Sequence, residues 1–339
     1  MKVARLHATA DLRLHDETDP RPGAGEELVR VTAVGLCGSD RHWFSEGGIG
    51  DSRLTRPLVL GHEIAGVIDR GPRRGERVAV DPAIPCGVCE ICRADLAHLC
   101  ANLRFAGHGT TDGGLRELMA WPRAQLVPLP DDIDAVQAAL LEPLGVAIHA
   151  LDLGKVRPGM DVAVFGCGPI GLLLVQLLRE VGAGHILATD PLAHRRAAAE
   201  ALGATETRPP VRKRDDIATD AEPLPRVDVA FEVAGDNGAV ADAIAAAGPG
   251  TRVVLVGIPA SDTTAFKASA ARRKGLTILL SRRMRAIDLQ RAIDMTAAGQ
   301  VQLGTLITGR HALEQTALAF ADLVSYNGLK TVVDMSLKP

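Results

Sequence analysis

Three residue types that bind metals stand close together early in the chain. Cys37 opens Cys37-Gly38-Ser39-Asp40-Arg41-His42, and twenty residues on, His62 and Glu63 lie in Gly61-His62-Glu63-Ile64-Ala65-Gly66. A thiolate, an imidazole and a carboxylate are ligand types that zinc prefers. Each alone has a plainer reading, since a single cysteine is usually a small buried hydrophobe and a His-Glu pair a surface or hydrogen-bonded one. A second constellation is more specific. Cys86, Cys89, Cys92 and Cys100 form a C-x2-C-x2-C-x7-C array, and four thiolates so close in sequence can close a tetrahedral site with no open position. Such a site is structural. An iron–sulfur cluster of the ferredoxin type needs a spacing of three before the last cysteine and a proline after it, whereas here the gap is seven and Ala101 follows.

The third constellation binds a nucleotide. VAVF (162–165) is a β-branched apolar strand, Gly166-x-Gly168-x-x-Gly171 follows at once, and the apolar run from Ile170 to Leu178 has helical length. In this context Gly166 permits a tight turn, Gly168 admits a pyrophosphate to the backbone, and Gly171 lets the helix pack on the sheet. Pro169 and Ile170 belong to the same phosphate-facing turn, at a helix N-terminus. Asp190 closes the next strand, HILATD, where a carboxylate can accept from ribose hydroxyls; this favours NAD. Arg195 and Arg196 keep NADP as the lesser alternative, because a guanidinium there can take a 2′-phosphate. Cys167, between the glycines, reads as a packing residue.

The elements that position these groups imply two domains, as 339 residues exceed the size of a single core. Residues 1–35 are a β start without a long helix. LRELMAW and QLVPLP are strand-like, and ALLEPLGVAIHAL (139–151) is an apolar helix whose one acid, Glu142, must be paired, liganded or protonated. VDVAFEVAG (227–235), ADAIAAA (241–247) and TRVVLVGIP (251–259) continue a βα alternation expected of a parallel sheet. Residues 206–226 read as a polar connection. With a formal net charge of −3, no electrostatic footprint for nucleic acid or an anionic membrane is present. No stretch approaches the roughly 18 apolar residues of a membrane span. Together with six cysteines and no secretory pattern in residues 1–30, this gives the expectation of a soluble cytoplasmic protein with small-molecule partners.

The order of these motifs resembles the zinc-containing medium-chain dehydrogenase/reductase family over nearly the whole chain. CGSDRHW (37–43), EGGIGD (46–51) and PLVLGHE (57–63) are most similar to its polyol branch, which includes sorbitol, xylitol and L-idonate 5-dehydrogenases. The resemblance implies a GroES-like β-rich catalytic domain over 1–148 and 285–339, with a zinc lobe near 81–105. It also implies a Rossmann domain, a doubly wound parallel sheet, over 149–284, with the active site between the two. One catalytic and one structural zinc are implied, as is a homodimer or homotetramer. Cys37 and His62 become zinc ligands, Glu63 a third ligand or exchangeable neighbour, and Glu142 a ligand or water-holder. Ser39 and His42 fall at the family's proton relay, chemistry that a hydroxyl and an imidazole can perform, and Asp40 can fix the tautomer of the liganding histidine.

Trp43 and Phe105 are expected on the substrate wall. Where polyol enzymes follow the last parallel strand with an arginine and an aromatic, this chain reads Ser281-Arg282-Arg283-Met284-Arg285. Arg282 fits, and Arg283 replaces the aromatic. Such a cluster can clamp a carboxylate through bidentate forks, which points to a sugar acid; the alternatives are a solvated basic turn and a contact to the cofactor phosphate. The implied reaction is oxidation of a secondary alcohol of a polyol or aldonate by NAD. Threonine-type and cyclitol dehydrogenases share most of these residues, and a non-catalytic zinc and nucleotide sensor is the remaining alternative.

Overall fold

The protein was analysed as a computed structural model that describes residues 1–211, 223–260 and 262–338. The chain forms two compact units, Met1–Gly145 with Met284–Pro339, and Val146–Arg283. The divisions expected at 148 and 284 fall instead at 145 and 283.

The first unit is built on a seven-stranded sheet. Its central strand Glu26–Gly35 is rich in β-branched and other apolar residues and is buried over most of its length, with Arg30 exposed. On one side it pairs antiparallel with Glu63–Ile68, Gly35 opposite Glu63; on the other it pairs with Lys330–Asp334, Gly35 opposite Val332. The C-terminal end of the central strand is therefore where residues 63 and 330 come together. Valines 29, 31 and 34 of this strand, with Leu58, Leu60, Ile64 and Phe320, belong to one buried apolar cluster. Immediately after the sheet strand comes the helix Gly38–Glu46, with Cys37 at its N-cap. Its start is fixed by Asp40, whose Oδ2 accepts the Cys37 N–H at 2.9 Å, a local return bond that the ligand spacing alone did not disclose.

The second unit is a six-stranded parallel sheet. Its spatial order is Glu206–Arg208, Ile186–Thr189, Val162–Phe165, Val227–Glu232, Ala247–Leu255, Thr277–Leu280. Numbered along this unit, that is 3-2-1-4-5-6, so the order reverses beside Val162–Phe165, the position at which doubly wound sheets bind dinucleotides. The helix Pro169–Val181 starts with proline in its first turn and ends on Gly182 in the left-handed conformation. Leu172 to Leu178 are all buried, each leucine contributing about 1.5–3 kcal/mol relative to exposure. One expectation fails here. Residues 206–208, read as part of a polar connection, form the outer strand; an edge strand presents one side to water, so its three residues Glu-Thr-Arg carry no hydrophobic signature. Residues 212–222 of that connection lie outside the described residues.

Candidate active site

Among the described residues, the ligand atoms of Cys37, His62 and Glu63 lie within 4.8 Å of one another. Asp40, fully buried, joins the elements that carry them. One carboxylate oxygen holds the Cys37 N–H; the other accepts from the Gly61 N–H at 3.1 Å and lies 3.5 Å from His62 Nδ1. The opposite face of the imidazole, Nε2, is 3.3 Å from Ser39 Oγ, and the Phe105 ring lies 5.4 Å from that of His62. Burial disfavours a charged His62, yet Asp40 and Cys37 outweigh it and hold the imidazole well above its ordinary value. A metal ion must displace that proton, so zinc uptake is linked to proton release. Sulfur, imidazole and carboxylate converging at this separation, with a carboxylate fixing the histidine from behind, fit zinc.

Lys330 is the functional neighbour that the motifs did not disclose. Its Nζ lies 2.6 and 2.5 Å from the two carboxylate oxygens of Glu63 and donates to the Leu36 carbonyl at 2.8 Å, with both side chains buried. Burial would strip the ammonium of its proton, but the charges of Glu63 and Cys37 raise its pKa above the usual lysine value. Gly35 makes this contact possible: a Cβ there would stand 2.0 Å from Glu63 Oε2. The only sequence signal was a lysine at the head of the otherwise apolar run TVV.

Glu142 stands outside the trio. It opens the helix Leu141–Gly154, and burial pushes its carboxyl up to about 7, with His62 and Lys330 opposing and Glu63 adding to the rise. Trp43 requires a correction. The helix turns its ring into the core, where it is 1% exposed and edge-on to His108 at 5.2 Å, so it does not line a substrate wall. His42, one turn after Ser39, is buried against Arg41 and Glu46.

The four-cysteine lobe is a second candidate metal site. Sγ separations of 3.5 Å (Cys89–Cys92), 3.9 Å (Cys89–Cys100) and 4.0 Å (Cys86–Cys92) bracket the about 3.8 Å expected for sulfurs on a tetrahedral zinc. All six cysteines are free thiols, so no disulfide competes. Val88, Leu96 and Leu99 are exposed and the helix Glu90–Arg93 buries nothing, leaving the lobe without an apolar core. Cys92→Ser is therefore expected to lose the lobe's zinc and to expose residues 86–100 to protease under native conditions, which limited proteolysis with metal analysis would read. Uncut protein with unchanged zinc content would contradict a structural site.

In the second unit the glycine turn has the cradle a phosphate needs. Gly166 adopts φ 112° with Ala234 N 2.9 Å from where a Cβ would stand, and a Cβ at Gly171 would lie 1.9 Å from the Gly166 carbonyl. At Gly168 the nearest atom to such a Cβ is Arg195 Nη1 at 3.9 Å, so a phosphate can approach the backbone beside a guanidinium. Asp190 is also structural. Its carboxylate accepts the Cys167 N–H at 2.9 Å and the Leu192 N–H at 2.8 Å, tying the turn to the next strand. Arg196 spends Nη1 on the carbonyls of Asp190 and Pro191. Cys167 is inert, as burial and Asp190 push its thiol up to about 12.

The arginine cluster divides. Arg285 closes a fork on buried Asp288 at 2.7 and 2.9 Å, with Arg291 on the same carboxylate, so it caps the helix Ala286–Ala297. Arg282, exposed, and Arg283, partly buried with φ 58°, belong to the second unit.

A dinucleotide-type parallel sheet and a β-rich unit carrying a zinc-fit trio define a zinc-dependent dehydrogenase. Residues 23–131 match the family described as alcohol dehydrogenase GroES-like domain, and residues 169–298 that described as zinc-binding dehydrogenase. Sorbitol dehydrogenase of Bacillus subtilis is 33% identical over 93% of this chain and 91% of its own length. L-idonate 5-dehydrogenase of Escherichia coli superposes with a TM-score of 0.90 at 26% identity, covering 98% of both chains. A chain from Sinorhizobium meliloti described as a zinc-binding dehydrogenase, bound to NADP, does so with a TM-score of 0.87 at 32% identity and 98% coverage of both. The chain belongs to the zinc-containing medium-chain dehydrogenase/reductase family, in its polyol branch. Among the described residues no helix is long and apolar enough to cross a membrane.

Proposed function

We propose that the protein oxidises a secondary alcohol of a polyol or sugar acid, using NAD and a zinc ion held by Cys37, His62 and Glu63. The convergence of those three ligand atoms, braced by Asp40 and Lys330, carries the reading. When bound, zinc supplies Lewis-acid polarisation of the substrate oxygen and the nicotinamide supplies hydride acceptance. Phe105, beside His62, excludes water from one side of the trio. Glu142 serves as a hydrogen-bonding group for a water or a substrate hydroxyl. Ser39 takes up the proton released from the alcohol, and His42 leads it away from the buried site. Cys86, Cys89, Cys92 and Cys100 hold a second, structural zinc, and this thiol-rich site suits a reducing compartment such as the cytoplasm.

NAD is favoured over NADP by the Asp190 carboxylate at the end of its strand, which would repel a 2′-phosphate. Arg195, next to Gly168, is the observation on the side of NADP, in line with the NADP-bound relative. Ile170 and Pro169 complete the turn. We further infer a homodimer or homotetramer, which sedimentation would test.

The test is cofactor reduction by zinc-loaded enzyme against matched polyols and aldonates, with NAD and NADP in parallel. NADH formation with polyols is expected. A preference for aldonates that disappears in Arg283→Ala would make Arg283 a carboxylate contact, with Arg282→Ala as its neighbour control. Absence of turnover on both panels, with two zinc ions per chain, would refute the reading.

A further inference from the structure

We propose that Glu46 is a positioning residue that fixes the tautomer of His42 and so makes Nε2 the proton-accepting nitrogen of the relay; this rests on the relay reading above. Two contacts on opposite nitrogens carry it. His42 Nδ1 lies 2.9 Å from Glu46 Oε1, and His42 Nε2 lies 3.4 Å from Arg41 Nη2. A guanidinium has only donors. The nitrogen facing Arg41 must therefore present its lone pair, and a neutral imidazole then carries its hydrogen on Nδ1, where an ionised carboxylate can accept it. Both neighbours select one tautomer. The Arg41 contact is long and weak, so the short bond to Glu46 has the larger share.

The placement suits a relay. Ser39, His42 and Glu46 succeed one another at three- and four-residue steps on the helix Gly38–Glu46, so they follow one face. His42 is 6% exposed, whereas the Glu46 side chain is 38% exposed. The imidazole thus lies one turn beyond Ser39 on the helix and reaches a carboxylate that is open to water. Arg41 is itself held, its Cζ 5.7 Å from the centre of the Tyr326 ring, at the end of the helix Thr316–Ser325. A carboxylate behind a histidine orients the ring and stabilises the cation formed when the other nitrogen takes a proton, without being protonated itself. Glu46 is the last residue of its helix and well exposed, so it is open to substitution without disturbing the core.

Nitrogen-15 spectra of the full-length zinc-loaded enzyme at about pH 8 would read the tautomer of His42, assigned by its loss in His42→Ala. Wild type is expected in the Nδ1–H form, and Glu46→Leu in a mixture of both forms. The kcat for alcohol oxidation in Glu46→Leu should fall about tenfold with KM unchanged. Glu46→Gln, whose amide oxygen still accepts, should restore the Nδ1–H form and recover turnover relative to Glu46→Leu. An Nε2–H form in the wild type, or a tautomer unchanged in Glu46→Leu, overturns the proposal. Full turnover in His42→Ala overturns the relay reading instead, and the spectra still decide whether Glu46 governs the ring.

Discussion

Cys37→Ser is expected to lower turnover by about three orders of magnitude or more, the equivalent of the several kcal/mol that Lewis-acid polarisation contributes, with the fold intact. Cys37 caps a helix at the margin of the sheet and is only partly buried, so exchanging sulfur for oxygen removes a soft ligand without opening a cavity. The Asp40 bond to the residue-37 backbone N–H survives the exchange, since it does not involve the side chain. Metal analysis should read one zinc per chain instead of two, with an unchanged circular dichroism spectrum. Wild-type turnover in a variant that had lost this zinc would place the chemistry elsewhere in the protein.

Lys330→Met is expected to destabilise the zinc-free protein by about 3–5 kcal/mol, the usual result of leaving a buried charge unpaired. Glu63 and Lys330 are each about 1% exposed at the side chain, so water cannot replace the missing partner. The second variant decides the cause. Lys330→Met combined with Glu63→Leu removes both charges and should recover most of the loss, whereas a simple packing defect would add to it. Zinc should narrow the difference in the single variant, because the ion supplies the positive charge that Lys330 otherwise provides. Denaturant unfolding of wild type, the two single variants Lys330→Met and Glu63→Leu, and the double variant, with and without zinc, checks all three expectations. A single variant as stable as wild type without zinc would mean that the pair does not form in solution.

The two predictions rest on features that were unequally visible in the chain. The ligand trio and the four-cysteine lobe were legible because metal chemistry constrains residue type and local spacing together, and the glycine turn because its strand, helix and acid come in fixed succession. Lys330 was not legible: it lies 267 residues from Glu63 and meets it only because both strands flank Gly35. Trp43 was misplaced for a related reason. Its neighbours in sequence are site residues, but its ring belongs to the buried apolar cluster, 1% exposed and edge-on to His108, a partner remote from it in the chain. The outer strand Glu206–Arg208 was hidden by its polarity, and Arg285 by a partner, Asp288, three residues away that spacing alone did not single out. Reading residues 38–46 as a helix would have exposed the His42–Glu46 pair from sequence alone.

The bond network of Asp40 bears on the order in which the two proposed metal centres would be assembled. Cys37 and His62 are braced by the buried Asp40 carboxylate, which accepts the Cys37 and Gly61 N–H groups, so that pocket is shaped by contacts within the protein and can be emptied and refilled. The cysteine lobe, with its apolar residues outside, has little besides its ion to shape it. Cobalt supplied to the mature protein should therefore exchange into the first centre and spare the second, giving a hybrid whose visible spectrum reports on the reactive metal alone, whereas cobalt present throughout synthesis should enter both.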